Sequence, residues 1–154
     1  MAHHTLNRGR LAVAALRRAS RRLRRRRRPS MPRSARNSTA LSPISRRWKF
    51  MLADMEIALE ASRLLLDRAA DAYMDGSSDM MKTASAAKVF CSEHAVSAAR
   101  DAVQIFGGYG LCKDYPVERY YRDARAFTII EGTSQVQKTL VAKAVLKEYA
   151  KQDA

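Results

Sequence analysis

Residues 79–106 read DMMKTASAAKVFCSEHAVSAARDAVQIF, and Gly107-Gly108 follow at once. Ala84, Ala87, Val89, Ala95, Ala98, Ala99, Ala102 and Val103 recur at helical spacing, and small residues in such a row let a second helix approach closely. Ser78 stands where an N-cap belongs, and Asp79 falls in the first turn, where the helix dipole favours an acid. The glycine pair is a strong stop. The stretch therefore predicts one long helix with packing partners, and Cys91 within it reads as a small buried hydrophobe.

Working upstream, WKFMLADMEIALEASRLLLDRAADAYM (48–74) places Phe50, Met51, Met55, Leu59, Leu65, Leu66, Ala69 and Tyr73 on one wide helical stripe, with Asp54, Glu56, Glu60, Arg63, Asp67 and Arg68 opposite. Gly76-Ser77-Ser78 breaks it. Downstream, GGYGLCKDYP reads as a loop, and Pro116 is placed to start a short helix, VERYYRDARAF. Thr133-Ser134 can then cap a last helix, TSQVQKTLVAKAVLKEYA. No alternating strand pattern exceeds four residues. The expected fold is an all-α antiparallel helical bundle. Each helix is apolar over a wider arc than one partner covers, which predicts burial against other domains or subunits.

The N-terminal segment differs in kind. Residues 1–50 hold 16 basic residues and no acidic one, whereas the remaining residues hold 13 basic and 15 acidic. A near-neutral domain thus follows a strongly basic leader, which excludes a nucleic-acid-binding domain along the whole chain. The five-arginine run Arg24–Arg28 and the Pro/Ser/Arg composition after it predict disorder from about Ser20 to Arg47. Three readings of residues 1–47 stay open. They have the composition of a mitochondrial transit peptide, of a polyanion-binding arm, or of GC-rich DNA read from a wrong start. Two cysteines without C-x-x-C spacing exclude a disulfide scaffold and a zinc site, and no metal site is expected. No long uncharged apolar run suits a membrane span.

Two short stretches stand out from a plain bundle. In Gln104-Ile105-Phe106-Gly107-Gly108-Tyr109-Gly110, three glycines let backbone approach a ligand closely, although Gly-Gly is also an ordinary helix terminator. In Ile129-Ile130-Glu131-Gly132-Thr133-Ser134-Gln135, one carboxylate lies between isoleucines and a glycine before a helix start. An apolar surround strengthens a carboxylate as a base, and a helix N-terminus offers N–H groups to an anion or developing oxyanion. The competing interpretation is a loop acid beside a capping threonine.

QIFGGYG, then YPVERYYRDAR, then EGTSQVQ, in this order and spacing, resemble the C-terminal helical domain of the acyl-CoA dehydrogenases, and FMLADM resembles its opening. The resemblance covers about residues 48–150 and does not reach the leader. It implies that Glu131 is the base that removes the α-proton of an acyl-CoA thioester while the β-hydrogen leaves as hydride to FAD. It also implies that the Glu131 backbone N–H helps hold the thioester carbonyl. Gln104, Ile105, Phe106, Gly107 and Gly108 would reach the FAD of a neighbouring subunit. Thr133, Ser134 and Gln135 would contact the FAD of their own subunit, with Gly132 and Ile130 beside the acyl-CoA. Arg119, Arg122, Asp123 and Arg125 would be structural ion pairs, and Tyr120 and Tyr121 would pack.

Several positions depart from the family pattern. Ile130 stands where many members have Tyr, Leu111 and Cys112 follow the glycine loop, and Lys138 and Lys143 stand where Arg is common. Cys112 in the glycine loop reads either as an exposed thiol or as a buried one, with burial the favoured reading. Residues 1–47 are too short for the N-terminal helical and middle β-domains that cradle the flavin, so a truncated or fragmentary member is expected.

The resemblance thus predicts a flavoenzyme of acyl-CoA β-oxidation, a homo-oligomer passing electrons to an electron-transfer flavoprotein in a bacterial cytoplasm or mitochondrial matrix. Two alternatives belong to other classes: a catalytically silent helical module that self-associates or binds a partner, and a polyanion binder acting through Arg24–Arg28.

Overall fold

The computed structural model describes residues 46–152, and the Arg-rich leader up to residue 45 lies outside them. Four α-helices follow in order: α1 (Arg46–Met74), α2 (Met80–Phe106), α3 (Val117–Ala126) and α4 (Ser134–Gln152). A short 3-10 turn, η1 (Gly107–Leu111), sits between α2 and α3. No strand occurs among the described residues. The all-α expectation therefore holds, with α2 as the hub against which every other helix packs.

The sequence explains why α2 is central. Its buried residues include Ala84, Ala87, Cys91, Ala95, Ala98, Ala99 and Ala102 together with Thr83, Ser85 and Ser92. Small side chains on several faces let helices close in from more than one direction. On one side α1 contributes Met55, Leu59, Leu66 and Ala69 to the main core. The Cys91 thiol lies 3.8 Å from the Ser62 carbonyl oxygen across this seam. On another side α4 runs antiparallel to α2. Lys82 reaches Glu148 at 2.6 and 2.7 Å, while Lys88, further along α2, meets Gly132 just ahead of α4. Among the described residues, α1 and α4 do not touch each other. A second small core gathers Ala102, Phe106 and Val117 under η1, with Val103 and Tyr115 packed on it.

Local differences from the expected elements have clear causes. Asp79, not Ser78, is the residue preceding α2, and the Ser77 hydroxyl accepts the Asp79 N–H at 3.2 Å. The glycine segment is not an open loop. Gly107 adopts φ +58° and ends α2, and η1 then folds back so tightly that a Cβ at Gly110 would lie 2.7 Å from the Val103 carbonyl oxygen. Rings of Phe106 and Tyr109 both meet Tyr115 edge-on, at 5.8 and 5.7 Å between centroids.

Phe50, on the stripe expected to be buried, is 61% exposed, and so are Ile57 and Leu64 at 68% and 71%. These three recur every seven residues, so α1 carries a second apolar row facing away from α2. That is the surplus apolar arc the sequence predicts. On α3, Arg122 pairs with Glu118 at 2.9 Å as expected, while Arg125 binds the Thr128 hydroxyl rather than an acid. Tyr120 is half-buried, but Tyr121 points to solvent.

The two thiols separate cleanly. Cys91 is fully buried, and burial pushes its thiol up from the ordinary range. Cys112 is exposed, contrary to expectation, because η1 ends in an extended residue at the surface. Thiolate is the reactive form, so iodoacetamide should label Cys112 alone in the native protein and Cys91 only after denaturation. Mass spectrometry of tryptic peptides reads both sites.

Candidate active site

The Glu131 segment is built by the end of α3 and the start of α4. The Ala126 carbonyl accepts the N–H groups of Ile129 and Ile130, both at 3.0 Å, which ends α3. Thr128 is buried, donates its hydroxyl to the Arg125 carbonyl at 2.9 Å and accepts the Arg125 guanidinium at 2.8 Å. The Ser134 N–H then donates to the Thr128 carbonyl at 3.0 Å, closing residues 128–134 into a tight loop.

At the crest of this loop the backbone is left-handed. Glu131 has φ +54°, the one such non-glycine residue among those described, and Gly132 follows at +91°. For an L-residue this conformation is costly, and such strain survives where the surroundings enforce it. Here two side chains grip the two successive carbonyls: Gln137 Nε2 donates to the Glu131 carbonyl at 3.4 Å, and Lys88 Nζ donates to the Gly132 carbonyl at 2.7 Å. Both are buried, Lys88 being only 3% exposed. Glycine suits position 132 because its φ of +91° strains any L side chain, and a Cβ there would push the Gln137 amide nitrogen aside. Thr133 caps α4 as expected, its hydroxyl accepting the Val136 N–H at 3.3 Å.

The result is a carboxylate presented on a fixed turn directly before a helix N-terminus, where backbone N–H groups and the helix dipole favour negative charge. The apolar enclosure expected around Glu131 is not formed by these residues: Glu131 is exposed, and Ile129 and Ile130 are 53% and 43% exposed. Of the neighbouring positions, Gly132 and Thr133 are half-buried, Gln135 is exposed, and Ser134 is buried. The Ser134 hydroxyl has no hydrogen-bond partner among the described residues.

Gln104 to Gly108 lie elsewhere. Lys88, which touches the Glu131 turn, and Gln104 are sixteen residues apart on α2, a rise of about 24 Å. Gln104, Gly107 and Gly108 are exposed, with open space where a Cβ on either glycine would stand, while Ile105 is half-buried and the Phe106 side chain is taken up in the core. One chain thus keeps the two candidate cofactor segments apart. No group of three metal-ligating side chains occurs among the described residues.

The C-terminal-domain model of the acyl-CoA dehydrogenases matches residues 1–146. The chain belongs to the acyl-CoA dehydrogenase family. The match begins in the Arg-rich leader, ahead of residue 48 where the motif resemblance starts. Over 99 residues the chain is 50% identical to the caffeyl-CoA reductase–Etf complex subunit CarC of Acetobacterium woodii, covering 64% of this chain and 26% of that one. Over 97 residues it is 52% identical to an acyl-CoA dehydrogenase of Bacillus subtilis, covering 63% and 25%. The solved butyryl-CoA dehydrogenase of Megasphaera elsdenii superposes with a TM-score of 0.68 at 32% identity, over 94% of this chain and 34% of that one. The chain spans about a quarter of the length of the curated relatives it matches.

Two residues of the site, Lys88 and Thr128, escape a reading of the sequence, while Gln137 closes the EGTSQVQ motif and Arg125 reads as an ion-pair residue without either being tied to this turn. Lys88 does carry a signal, since it falls four residues after Ala84 and three before Cys91, on the buried face of α2.

Proposed function

We propose that this chain supplies the C-terminal helical domain, residues 48–154, of a flavin-dependent acyl-CoA dehydrogenase, with Glu131 as the base that removes the substrate α-proton. The observation that carries it is Glu131 held left-handed on a clamped turn immediately before α4. A base must sit at a fixed point relative to the C–H bond it breaks, and this carboxylate has one torsionally defined origin. Its backbone N–H and the nearby helix terminus suit a thioester carbonyl that gains negative charge as the proton leaves. Gly132 and Ile130 flank the acyl-CoA, and Ile130 adds an apolar wall. The exposed isoleucines fit a pocket whose other walls come from outside residues 46–152.

FAD suits the residues present. The buried, unpartnered Ser134 hydroxyl is the kind of polar atom a bound polar group satisfies, and Thr133 and Gln135 stand beside it. FAD would supply the hydride acceptor. The separation of about 24 Å along α2 favours Gln104 to Gly108 serving the cofactor of a second copy, so a homo-oligomer completes the site. The apolar row Phe50, Ile57 and Leu64 also favours assembly. An electron-transfer flavoprotein is the expected partner, which the Etf-complex membership of the relative CarC supports. The bacterial relatives favour a cytoplasmic setting, and no described helix is long and apolar enough to cross a membrane.

The test replaces the matching quarter of the Bacillus subtilis relative with residues 48–152 of this chain. The hybrid should retain FAD through gel filtration. A folded hybrid that sheds its flavin would overturn the cofactor assignment.

A further inference from the structure

Lys88 is a cation buried in a helix whose other buried positions are mostly alanine, serine and cysteine. Burying an ammonium is costly unless its hydrogen bonds are met. Its Nζ donates to the Gly132 carbonyl at 2.7 Å, across a sequence separation of 44 residues. That carbonyl belongs to the residue immediately after Glu131. A charge-assisted hydrogen bond is about twice as strong as a neutral one, and here it joins a buried ammonium to a half-buried carbonyl. Nothing in the packing of α2 requires a lysine here, since the adjoining buried positions are small.

We propose that Lys88 is a positioning residue for the base: its ammonium locks the Gly132 peptide, and with Gln137 it holds Glu131 in the left-handed conformation that aims the carboxylate. The inference rests on the assignment of Glu131 as base, but the lock itself can be measured without it. Without the Lys88 bond, the Gly132 peptide is free to rotate, φ at Glu131 relaxes towards ordinary values, and the carboxylate swings off its line. Gln137 alone, at 3.4 Å from the Glu131 carbonyl, is too weak a tether to keep both peptides.

The test uses the full chain, labelled with nitrogen-15, as wild type, Lys88→Met and Lys88→Arg. In Lys88→Met the Gly132 amide resonance should shift, and the Ser134 amide, which closes the loop on Thr128, should exchange with solvent about tenfold faster. Gly76, far along the chain, should not move. Lys88→Arg keeps a cationic donor and should recover most of the Ser134 protection. Unchanged Gly132 and Ser134 signals in a folded Lys88→Met protein would overturn the lock. If Lys88→Met does not fold, the wild-type lysine ammonium signals decide. Lys88 should give a slowly exchanging resonance, unlike the exposed Lys138 and Lys143, and fast exchange at Lys88 would refute it.

In the flavin-loaded hybrid, Lys88→Met should lower kcat roughly 10²-fold with KM unchanged, the signature of a misaimed base rather than lost binding. An equal loss at KM would contradict a positioning role. If instead Glu131→Gln retained turnover, the base assignment would fail while the solvent-exchange result still stood.

Discussion

In the hybrid enzyme, Glu131→Gln should retain FAD and bind acyl-CoA, yet exchange the substrate α-proton with solvent at least 10³-fold more slowly, in line with the roughly 10²–10⁴-fold usually carried by a positioned base. Glutamine keeps the shape of the side chain and leaves the turn intact, because the carbonyls gripped by Lys88 and Gln137 belong to the backbone. It removes the negative charge and with it the ability to take a proton. The readout is loss of deuterium from C2-deuterated butyryl-CoA into water, which isolates proton removal from later steps. Undiminished exchange would show that another group is the base.

Gly132→Ala should produce the second largest effect. At φ +91° an L-residue carries about 1–3 kcal/mol of backbone strain. Its Cβ would also displace the Gln137 amide, and so one of the two grips on the turn. Misplacing the base by about an ångström is worth about 10²-fold in rate, so kcat should fall by that order while thermal stability drops. Gly76→Ala is the matched control. Gly76 is also left-handed, at φ +62°, but a Cβ there meets nothing within 4 Å. It should lower the melting temperature by a few degrees and leave kcat alone. Equal catalytic losses in both variants would mean that the turn at 131–132 has no special place in the chemistry.

The contrast between these glycines marks what a sequence can and cannot express. Long periodic elements are legible: the alanine row of α2, its Gly107-Gly108 stop and the Thr133 cap of α4 each follow from local chemistry. The all-α fold class needs nothing more. Side-chain fates that depend on a distant partner are not legible. Phe50 reads as core by spacing, yet α1 has two apolar rows and only one faces α2, so the choice between them is tertiary. GGYG reads as a loop, but the closeness of Gly110 to Val103 folds it into a 3-10 turn.

The candidate site divides in the same way. Glu131, Gly132 and the residues after them stand out because the EGTSQVQ motif carries them. Of the two grips on the turn, Gln137 lies in the motif, but Lys88 does not: it lies 44 residues before Gly132, in a stretch whose periodicity marks it only as a polar interruption. Cys112 shows the opposite error: a thiol beside a glycine loop reads as buried, and the extended backbone after η1 puts it at the surface.

The most direct measurement is the flavin absorbance of the hybrid carrying residues 48–152, mixed anaerobically with butyryl-CoA. With Glu131 as the base, the oxidised-flavin band should bleach on mixing and should persist in the Glu131→Gln hybrid. A folded, flavin-loaded hybrid whose band is untouched by butyryl-CoA and by longer acyl-CoA thioesters would contradict the assignment.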